Sequence, residues 1–359
     1  MKKEKTKETV TIKDIAKMCD VSIATVSNVL NGKTNKVSED VAAKIKGAVE
    51  QTGYKPNFLA KGLRAVSTKT IGVIVEDLIV FSSPSMIEGL MKCSEEHGYD
   101  VVIENMRLNG RWHGAWMHDN KLYEEALGMV LKKMDSLNTD GILYLGGHEH
   151  IVSGVKSSKN LPIVMAYSMT KDEGIPIFRL DDEKGGYEAI KYLMKKGHKK
   201  IGILAGEIDN SHTINRMVGI QKAFYEEGEL FNPDLAVYGE WNFEGGFEGM
   251  KKILNQDKDI TAVFCMSDAI AAGAYEAIKK AGLMPGEKIS VLGYDNQEIA
   301  SYIHPKLSTM ALPLEEIGYR AAARLIDMCE NPEEYKGSKE EMDTKIPCTL
   351  IERESVVKI

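Results

Sequence analysis

The sequence predicts a small all-α unit at the N-terminus, joined to an α/β body made of two Rossmann-like lobes. Three observations predict this architecture. Residues 10–31 show two short helical patterns around a polar turn, apolar strands alternate with amphipathic helices from Ile71 onward, and the sign of the net charge changes between the two parts. A length of 359 residues is sufficient for two or three domains.

The N-terminal stretch VTIKDIAKMCDVSIATVSNVLN is typical of a helix-turn-helix. We expect Thr11 to cap the first helix, with Asp14 completing a capping box, and Ser22 to cap the second. A third helix follows, with Ser38 as its cap. A helix-turn-helix presents the outward N-terminal part of its second helix to the DNA major groove. Those positions here are Ile23, Ala24, Thr25, Ser27 and Asn28.

The charge of the chain is divided unevenly along its length. Residues 1–69 hold 14 lysines and arginines against 7 acidic residues, whereas the remaining residues hold 32 against 46. The formal net charge of −7 therefore hides a basic N-terminal part. Phosphate contact is a local effect, so this asymmetry favours DNA binding through the N-terminal unit alone.

Composition excludes several other classes of protein. No apolar run reaches membrane-spanning length, and the N-terminus has no apolar signal-peptide core, so we expect a cytoplasmic protein with no membrane partner. The five scattered cysteines indicate a reducing compartment without disulfides or a zinc finger. No hydrolase, metalloprotease or nucleotide-binding motif is present, so neither an enzyme nor a cofactor is predicted.

In the body, the alternation of apolar strands and amphipathic helices predicts two parallel sheets covered by helices on both faces. We expect about ten strands in all. The strand-like runs are 71–75, 100–104, 141–145, 162–166, 200–206, 261–266 and 289–294. The amphipathic helices are predicted near 84–97, 122–135, 185–196, 215–227, 245–255, 269–281 and 314–329.

The combination TIKDIAKMCDVSIATVSNVLNG, GYKPNFLAKGLR and TIGVIVED resembles the lac-repressor (LacI/GalR) family of bacterial transcription regulators. The resemblance covers nearly the full chain and extends to IPCTLIERESV. It implies a helix-turn-helix head on a body of two periplasmic-binding-protein-like lobes, with the chain crossing between the lobes three times. We place the crossings near 175–180, 310–313 and 330–333.

The domain boundaries follow from this resemblance and from the predicted crossings. We expect a disordered lead at 1–9, the helix-turn-helix domain at 10–56, a hinge at 57–69 and the effector-binding body at 70–359. The segments 70–177 and 311–331 would form the first lobe of the body. The segments 178–310 and 332–359 would form the second lobe.

The hinge segment is short and carries Gly62, so an isolated helix there would be marginal. The resemblance implies that two such segments pair in the minor groove, where Leu63 wedges between base pairs and Lys61 and Arg64 lie near phosphates. A plain tether is the alternative. Asn31 and Asn57 complete the predicted DNA contacts.

Ligands of open α/β sheets bind beyond the carboxyl ends of the strands, and the space between two lobes forms a cleft. An aromatic face, a guanidinium, carboxylates and hydroxyls at those ends suit a carbohydrate. The predicted effector contacts are Ser82, Ser83, Tyr167, Arg216, Trp241, Ser267, Asp268 and Asp295. Asp268 has the alternative role of capping the helix that follows it.

Two further features have alternative interpretations. The His148-Glu149-His150 triplet has a spacing that admits a metal ion, but it is more typical of an exposed polar loop, and no metal is predicted. The loop 107–120 carries Trp112 and Trp116, and it would form a lid, part of a dimer face or a surface insertion.

The sequence therefore predicts a homodimeric transcription repressor that reads a palindromic double-stranded operator and responds to a small sugar-like effector. Ile23 and Ala24 predict contact with thymine methyl groups, and Asn28 predicts pairing with adenine or phosphate. The alternatives are control by a protein corepressor, such as a phosphocarrier, and a sugar receptor that does not bind DNA.

Overall fold

The structure is a computed structural model that describes residues 10–30, 37–54, 67–113, 116, 119–332 and 342–359. The chain forms two compact units, Met1–Thr68 and Lys69–Ile359. The predicted lead 1–9 and most of the predicted hinge lie outside the described residues. The predicted DNA contacts outside them are Asn31, Asn57, Lys61, Leu63 and Arg64.

The N-terminal unit contains the three predicted helices, α1 (Ile12–Cys19), α2 (Ile23–Leu30) and α3 (Glu39–Thr52). The turn between α1 and α2 ends α1 with Asp20 in the left-handed conformation, at φ 56°. One small apolar core joins the three helices. Its buried members are Ile15, Ala16, Cys19, Val26, Val29, Ala42 and Ile45.

The first lobe of the body is built on a six-stranded sheet in which every neighbouring pair is parallel. In spatial order its strands are β13 (Asp343–Ile346), β7 (Ile177–Leu180), β5 (Ile163–Ala166), β3 (Gly141–Leu145), β1 (Thr70–Val75) and β2 (Asp100–Asn105). Two short strands, β4 (Ile151–Val152) and β6 (Met169–Thr170), pair beside it.

The second lobe repeats this plan with one antiparallel edge, between β12 and β14. Its strands in spatial order are β14 (Thr349–Ile351), β12 (Ser308–Ala311), β11 (Ser290–Asp295), β10 (Ala262–Cys265), β8 (Ile201–Ala205) and β9 (Ala236–Tyr238). Apolar clusters lie on both faces of each sheet, as continuous apolar strands predict.

The helices cover these sheets. The first lobe has α4 (Ser82–His97), α5 (Leu108–Trp112), α6 (Asn120–Ser136) and α12 (Leu314–Glu330). The second lobe has α7 (Asp182–Lys195), α8 (Ser211–Glu226), α9 (Phe243–Gln256), α10 (Asp268–Lys280) and α11 (Ile299–Tyr302). In the described part of the chain, no helix has both the length and the apolar character that a membrane crossing requires.

Two of the three predicted crossings between the lobes are misplaced. Strand β7 belongs to the first sheet, so the chain first crosses at Asp181 rather than near 175–180. Strand β13 also belongs to the first sheet, so the third crossing lies at 347–348 and not near 330–333. The second crossing lies at 312–313, between β12 and α12. Pairing of β13 with β7 holds residues 343–346 in the first lobe. The prediction had assigned these residues to the second lobe.

Paired glycines set the separation of neighbouring helices. A Cβ atom on Gly318 of α12 would lie 1.9 Å from the carbonyl oxygen of Met86, and one on Gly89 of α4 would lie 1.9 Å from that of Glu315. Such distances exclude any side chain, because the obstacle is backbone. The same reciprocal arrangement joins α7 to α8 through Gly186 and Gly219, and α9 to α10 through Gly246 and Gly273.

We expect Gly318→Ala to destabilise the first lobe by about 1–3 kcal/mol, because the added methyl must push α12 away from α4. The matched control is Gly128→Ala in α6, where a Cβ would meet nothing within 4 Å. That change should be neutral or stabilising by up to about 1 kcal/mol. Urea denaturation followed by circular dichroism measures both. Equal stability of Gly318→Ala and the wild type would contradict the assigned role.

Candidate functional site

The second helix of the N-terminal unit presents its N-terminal end to solvent. Ile23 is 40% exposed and Ala24 is also exposed, whereas Val26 and Val29 are buried against the other two helices. The other predicted base-facing residues are partly exposed. They are Thr25, Ser27 and Asn28. The helix therefore offers a surface that is small and apolar at its tip and polar behind it.

Short polar motifs form hydrogen bonds at the N-terminal ends of α1 and α2. The Ser22 side chain accepts a hydrogen bond from the Thr25 backbone N–H at 3.1 Å, which confirms Ser22 as the cap of α2. Asp14 accepts hydrogen bonds from the Thr11 backbone N–H at 2.8 Å and from its hydroxyl at 2.7 Å. Ser38 occupies the cap position of α3 without a side-chain hydrogen bond to the helix. Thr11 and Ser22 are both exposed.

In the body, the floor of the cleft is a buried ionic group centred on Asp182. Its carboxylate lies 2.7 Å from the Nε atom of Arg216 and 2.7 Å from the Nδ1 atom of His212. Arg216 also donates from Nη1 to the carbonyl oxygen of Met266 at 2.6 Å. Although burial opposes its ionisation, Arg216 and His212 hold the pKa of Asp182 well below its usual value.

Aromatic rings enclose this guanidinium. The Arg216 guanidinium carbon lies 3.7 Å from the centre of the Tyr294 ring and 5.6 Å from that of Trp241. Trp241 lies directly against Gly206 at the end of β8, where a Cβ would fall 2.0 Å from the indole. A stacked guanidinium and a partly buried indole together suit a ligand with both apolar and hydroxyl surfaces.

Asp295 ends β11 with φ 108°, a backbone conformation that is strained for a residue with a side chain. One of its carboxylate oxygens accepts a hydrogen bond from the Gln297 side chain at 3.0 Å. Burial of the carboxyl group, which the nearby guanidinium of Arg216 only partly offsets, raises the pKa of Asp295 to about 8. The group is therefore largely protonated at neutral pH and can donate a hydrogen bond as well as accept one.

Four of the predicted effector residues direct their polar groups into the protein. They are the three serines described next and Asp268. Ser82 donates to the carbonyl of Gly147 at 2.9 Å, and Ser83 donates to that of Asp77 at 2.8 Å. Ser267 caps α10 by accepting from the Ile270 N–H at 3.1 Å. These serines position the start of α4 and of α10.

Asp268 is fully buried and is not the cap of α10. It accepts from the Thr309 hydroxyl at 2.6 Å and from the Gln297 backbone N–H at 2.7 Å. The first contact is with β12, and the second holds the chain that follows β11. Burial raises the pKa of Asp268 to about 6. Gln297, which Asp268 contacts, in turn donates its side-chain hydrogen bond to Asp295.

The first lobe meets the cleft floor through two segments. Tyr167 follows β5 with φ 54°, is 3% exposed, and has its ring centre 5.5 Å from that of His212. The backbone N–H of Glu149 donates to the Nε2 atom of His212 at 3.2 Å. The carboxylate of Glu149 lies 2.9 Å from the Nη1 atom of Arg179. These contacts join the two lobes at His212, beside the ionic group around Asp182.

The structure brings together Tyr167, Arg216, Trp241 and Asp295, and it adds residues that the sequence reasoning missed. Those are Glu149, Arg179, Asp182 and His212. Asp182 lies two residues beyond the end of β7 (Ile177–Leu180), a strand that was not among the predicted ones, so the strand-end signal that pointed to Tyr167 and Asp295 was not visible for it. His212 carries no comparable signal.

The prediction of an exposed loop at His148-Glu149-His150 is wrong. Glu149 is buried, and both histidines are partly buried. The ring of Trp116, itself 6% exposed, lies with its centre 5.6 Å from that of His148 and 5.7 Å from that of His150. Trp116 therefore belongs to the core of the first lobe, and Trp112 packs partly buried against the same cluster.

A helix-turn-helix unit joined in one chain to a two-lobed α/β body defines a DNA-binding transcriptional regulator. Comparison with known proteins is consistent with this class. Residues 11–57 match the family described as bacterial regulatory proteins, lacI family, and residues 190–356 match the periplasmic binding protein-like domain.

The chain is 34% identical to the ribose operon repressor of Haemophilus influenzae over 90% of this chain and 93% of that protein. It is 30% identical to the transcriptional repressor CytR of Escherichia coli K12, over 99% and 98% of the two chains. A lac repressor dimer bound to operator and the anti-inducer ONPF has the same fold, with a TM-score of 0.76, 22% identity and coverage of 98% and 100%. The protein belongs to the lacI family of bacterial transcriptional regulators.

The raised pKa of Asp295 predicts a pH-dependent stability. The folded state keeps its proton up to about pH 8, whereas the unfolded chain loses it near 3.8, the ordinary pKa of an aspartate. Between those values the unfolded state binds fewer protons, so the contribution of Asp295 to stability falls as pH rises. We expect Asp295→Asn to gain stability over the wild type as pH increases from 5 to 8.

Thermal unfolding at pH 5, 6.5 and 8 measures this difference. Asp209→Asn, an exposed carboxylate in the loop after β8, is the control and should show no such trend. A gap between Asp295→Asn and the wild type that stays constant with pH would refute the assignment.

Proposed function

We propose that this regulator represses carbohydrate-utilisation genes and that a small sugar-like effector, bound between the two lobes, controls its affinity for DNA. The observation that carries the proposal is the convergence of Arg216, Trp241 and Asp295 on one edge of the second sheet, opposite Tyr167 of the first lobe. The similarity to a ribose operon repressor supports a sugar over other ligand classes.

Each cleft residue has a distinct proposed role. The indole of Trp241 covers an apolar face of the sugar ring. Asp295 and the Nη2 atom of Arg216, which makes no hydrogen bond to the described residues, bind hydroxyl groups. Asp182 and His212 hold Arg216 in place, and Tyr167 closes over the ligand from the other lobe. Only a role in shaping the cleft is proposed for four of the predicted residues, Ser82, Ser83, Ser267 and Asp268.

The proposed partner is a palindromic double-stranded operator bound by a homodimer, because two-fold symmetry lets paired heads read two half-sites. Thr11 and Ser22 would contact phosphates, and Ile23 and Ala24 would contact bases. Asn31, Asn57, Lys61, Leu63 and Arg64 stay as predicted contacts. We further propose that the protein works in the cytoplasm, where the DNA of a bacterium lies, and that it has no catalytic role.

Effector control requires that the two lobe arrangements differ in effector affinity. The contacts of Tyr167 and Glu149 with His212 are among the contacts between the lobes that an effector would change. A ligand seated against Trp241 must alter that junction. The same motion would move the β1 end of the first lobe, which follows the hinge segment in the chain.

The effector prediction is tested by thermal-shift screening of the full chain against sugars, sugar phosphates and nucleosides. A ligand that binds the folded state raises the melting temperature in proportion to the logarithm of its concentration. We expect a sugar to do so and Trp241→Leu to weaken its binding about 10- to 100-fold, measured by calorimetry. Tyr238→Leu, an exposed aromatic substitution on β9, is the matched control and should bind as the wild type does.

Fluorescence anisotropy of a labelled operator, with and without the hit, then shows whether the effector releases or promotes DNA binding. A nucleoside hit would replace the sugar with another ligand class. A screen without any hit, combined with capture of a phosphocarrier protein, would favour the protein-corepressor alternative.

The reading helix makes a separate prediction about the operator. Ile23 and Ala24 offer methyl groups and no hydrogen-bonding side chain, so the bases opposite them should be dominated by A·T pairs. Selection of operators from a random library by the purified protein measures this. Ala24→Arg should shift the selected base towards guanine, whereas Lys46→Arg, an exposed position on α3, should leave the sequence unchanged. A strict guanine requirement opposite both residues would contradict the prediction.

A further inference from the structure

A second cluster of polar side chains lies in the first lobe, apart from the cleft floor. It consists of Glu76, which follows β1, and His148 and His150, which follow β3. One potential ligand atom from each residue lies within 4.8 Å of the other two. We propose that these three side chains bind a divalent transition-metal ion of the zinc class.

The distances between the ligand atoms fit one ion. The Nε2 atom of His150 lies 3.1 Å from the Oε1 atom of Glu76, and the pair does not meet the geometry of a hydrogen bond. With metal–ligand bonds of about 2.0–2.2 Å, two ligands of a tetrahedral ion are separated by about 3.4 Å. His148 stacks on His150 with ring centres 4.7 Å apart, so a small side-chain rotation brings its nitrogen to the same point.

Hydrogen bonds hold the ligands in the orientations that a metal requires. The Nδ1 atom of His150 lies 3.0 Å from the carbonyl oxygen of His148, which directs Nε2 towards Glu76. Glu76 accepts from the Gly147 N–H at 2.7 Å and from the Tyr144 hydroxyl, which itself contacts Tyr123. Such outer contacts are typical of histidine and carboxylate ligands in metal sites.

The site has room for a further ligand. A cavity of about 330 Å³ lies beside both histidines and is bordered by Trp116, Tyr123 and Glu124. A water molecule in that cavity would supply the fourth position of a tetrahedral ion. Two imidazoles and one carboxylate with an open position form a donor set that zinc prefers over magnesium or calcium.

The other candidate cluster, Glu149, Asp182 and His212, is disfavoured by its partners. Asp182 already pairs with Arg216, and Glu149 pairs with Arg179, so two guanidinium groups would repel a cation there. In contrast, no lysine or arginine among the described residues forms an ion pair with Glu76. The charge of the two sites therefore favours Glu76, His148 and His150.

The experiment uses the full, untagged chain after dialysis against a chelator. Titration with Zn²⁺ should show one saturable site per chain with micromolar or tighter affinity, and Mg²⁺ should not compete. We expect His150→Gln and Glu76→Gln each to weaken Zn²⁺ binding at least tenfold. His97→Gln, an exposed histidine at the end of α4, is the matched control and should bind as the wild type does.

Visible absorption of the Co²⁺ form provides a second measurement, since a tetrahedral histidine–carboxylate site gives intense d–d bands. These bands should vanish in His150→Gln and persist in His97→Gln, with circular dichroism confirming that both variants are folded. The proposal is overturned if the wild type shows no saturable Zn²⁺ binding, if His150→Gln binds with unchanged affinity, or if His212→Gln alone abolishes binding.

Discussion

The cleft of this regulator depends on the need to neutralise a buried guanidinium. Arg216 is 2% exposed, and a charge at that depth is stable only when it is paired and hydrogen-bonded. Asp182 meets this requirement while it also contacts His212. Because Asp182 directly follows the first crossing between the lobes, the ion pair ties the path of the chain to the geometry of the cleft. Tyr167, Trp241 and Tyr294 then pack around a group whose position is already fixed.

The sequence predicted the fold where periodicity was strong. All seven predicted helices of the body are present, because each carries a continuous apolar stripe that a sheet face can bury. Strands such as β13 were missed. Its residues, Asp343–Ile346, alternate in exposure and show no apolar run, so only their pairing with β7 reveals a strand. The third crossing was misplaced for the same reason.

The candidate site was predictable to the extent that it lies at strand ends. Asp295 follows β11 and Tyr167 follows β5, and both lie at the cleft. Ser82 and Ser83 also follow a strand, but the sequence does not show that each hydroxyl donates a hydrogen bond to a backbone carbonyl oxygen. His212 lies in the first turn of α8, where only the packing of α7 against α8 reveals that it meets Asp182. The burial of His148 and His150 likewise depends on Trp116, a residue distant in sequence.

The glycine contacts between paired helices have a mechanical consequence. Helices held backbone to backbone cannot slide without breaking many contacts at once, so each lobe behaves as a rigid body. Any relative rotation of the lobes is then confined to the three crossing segments, which act as the pivot. Two of those segments contain a proline, Pro313 and Pro347, whose φ angle is fixed. The freedom of the pivot therefore resides in few backbone torsions, which limits the lobes to a narrow path of opening and closing.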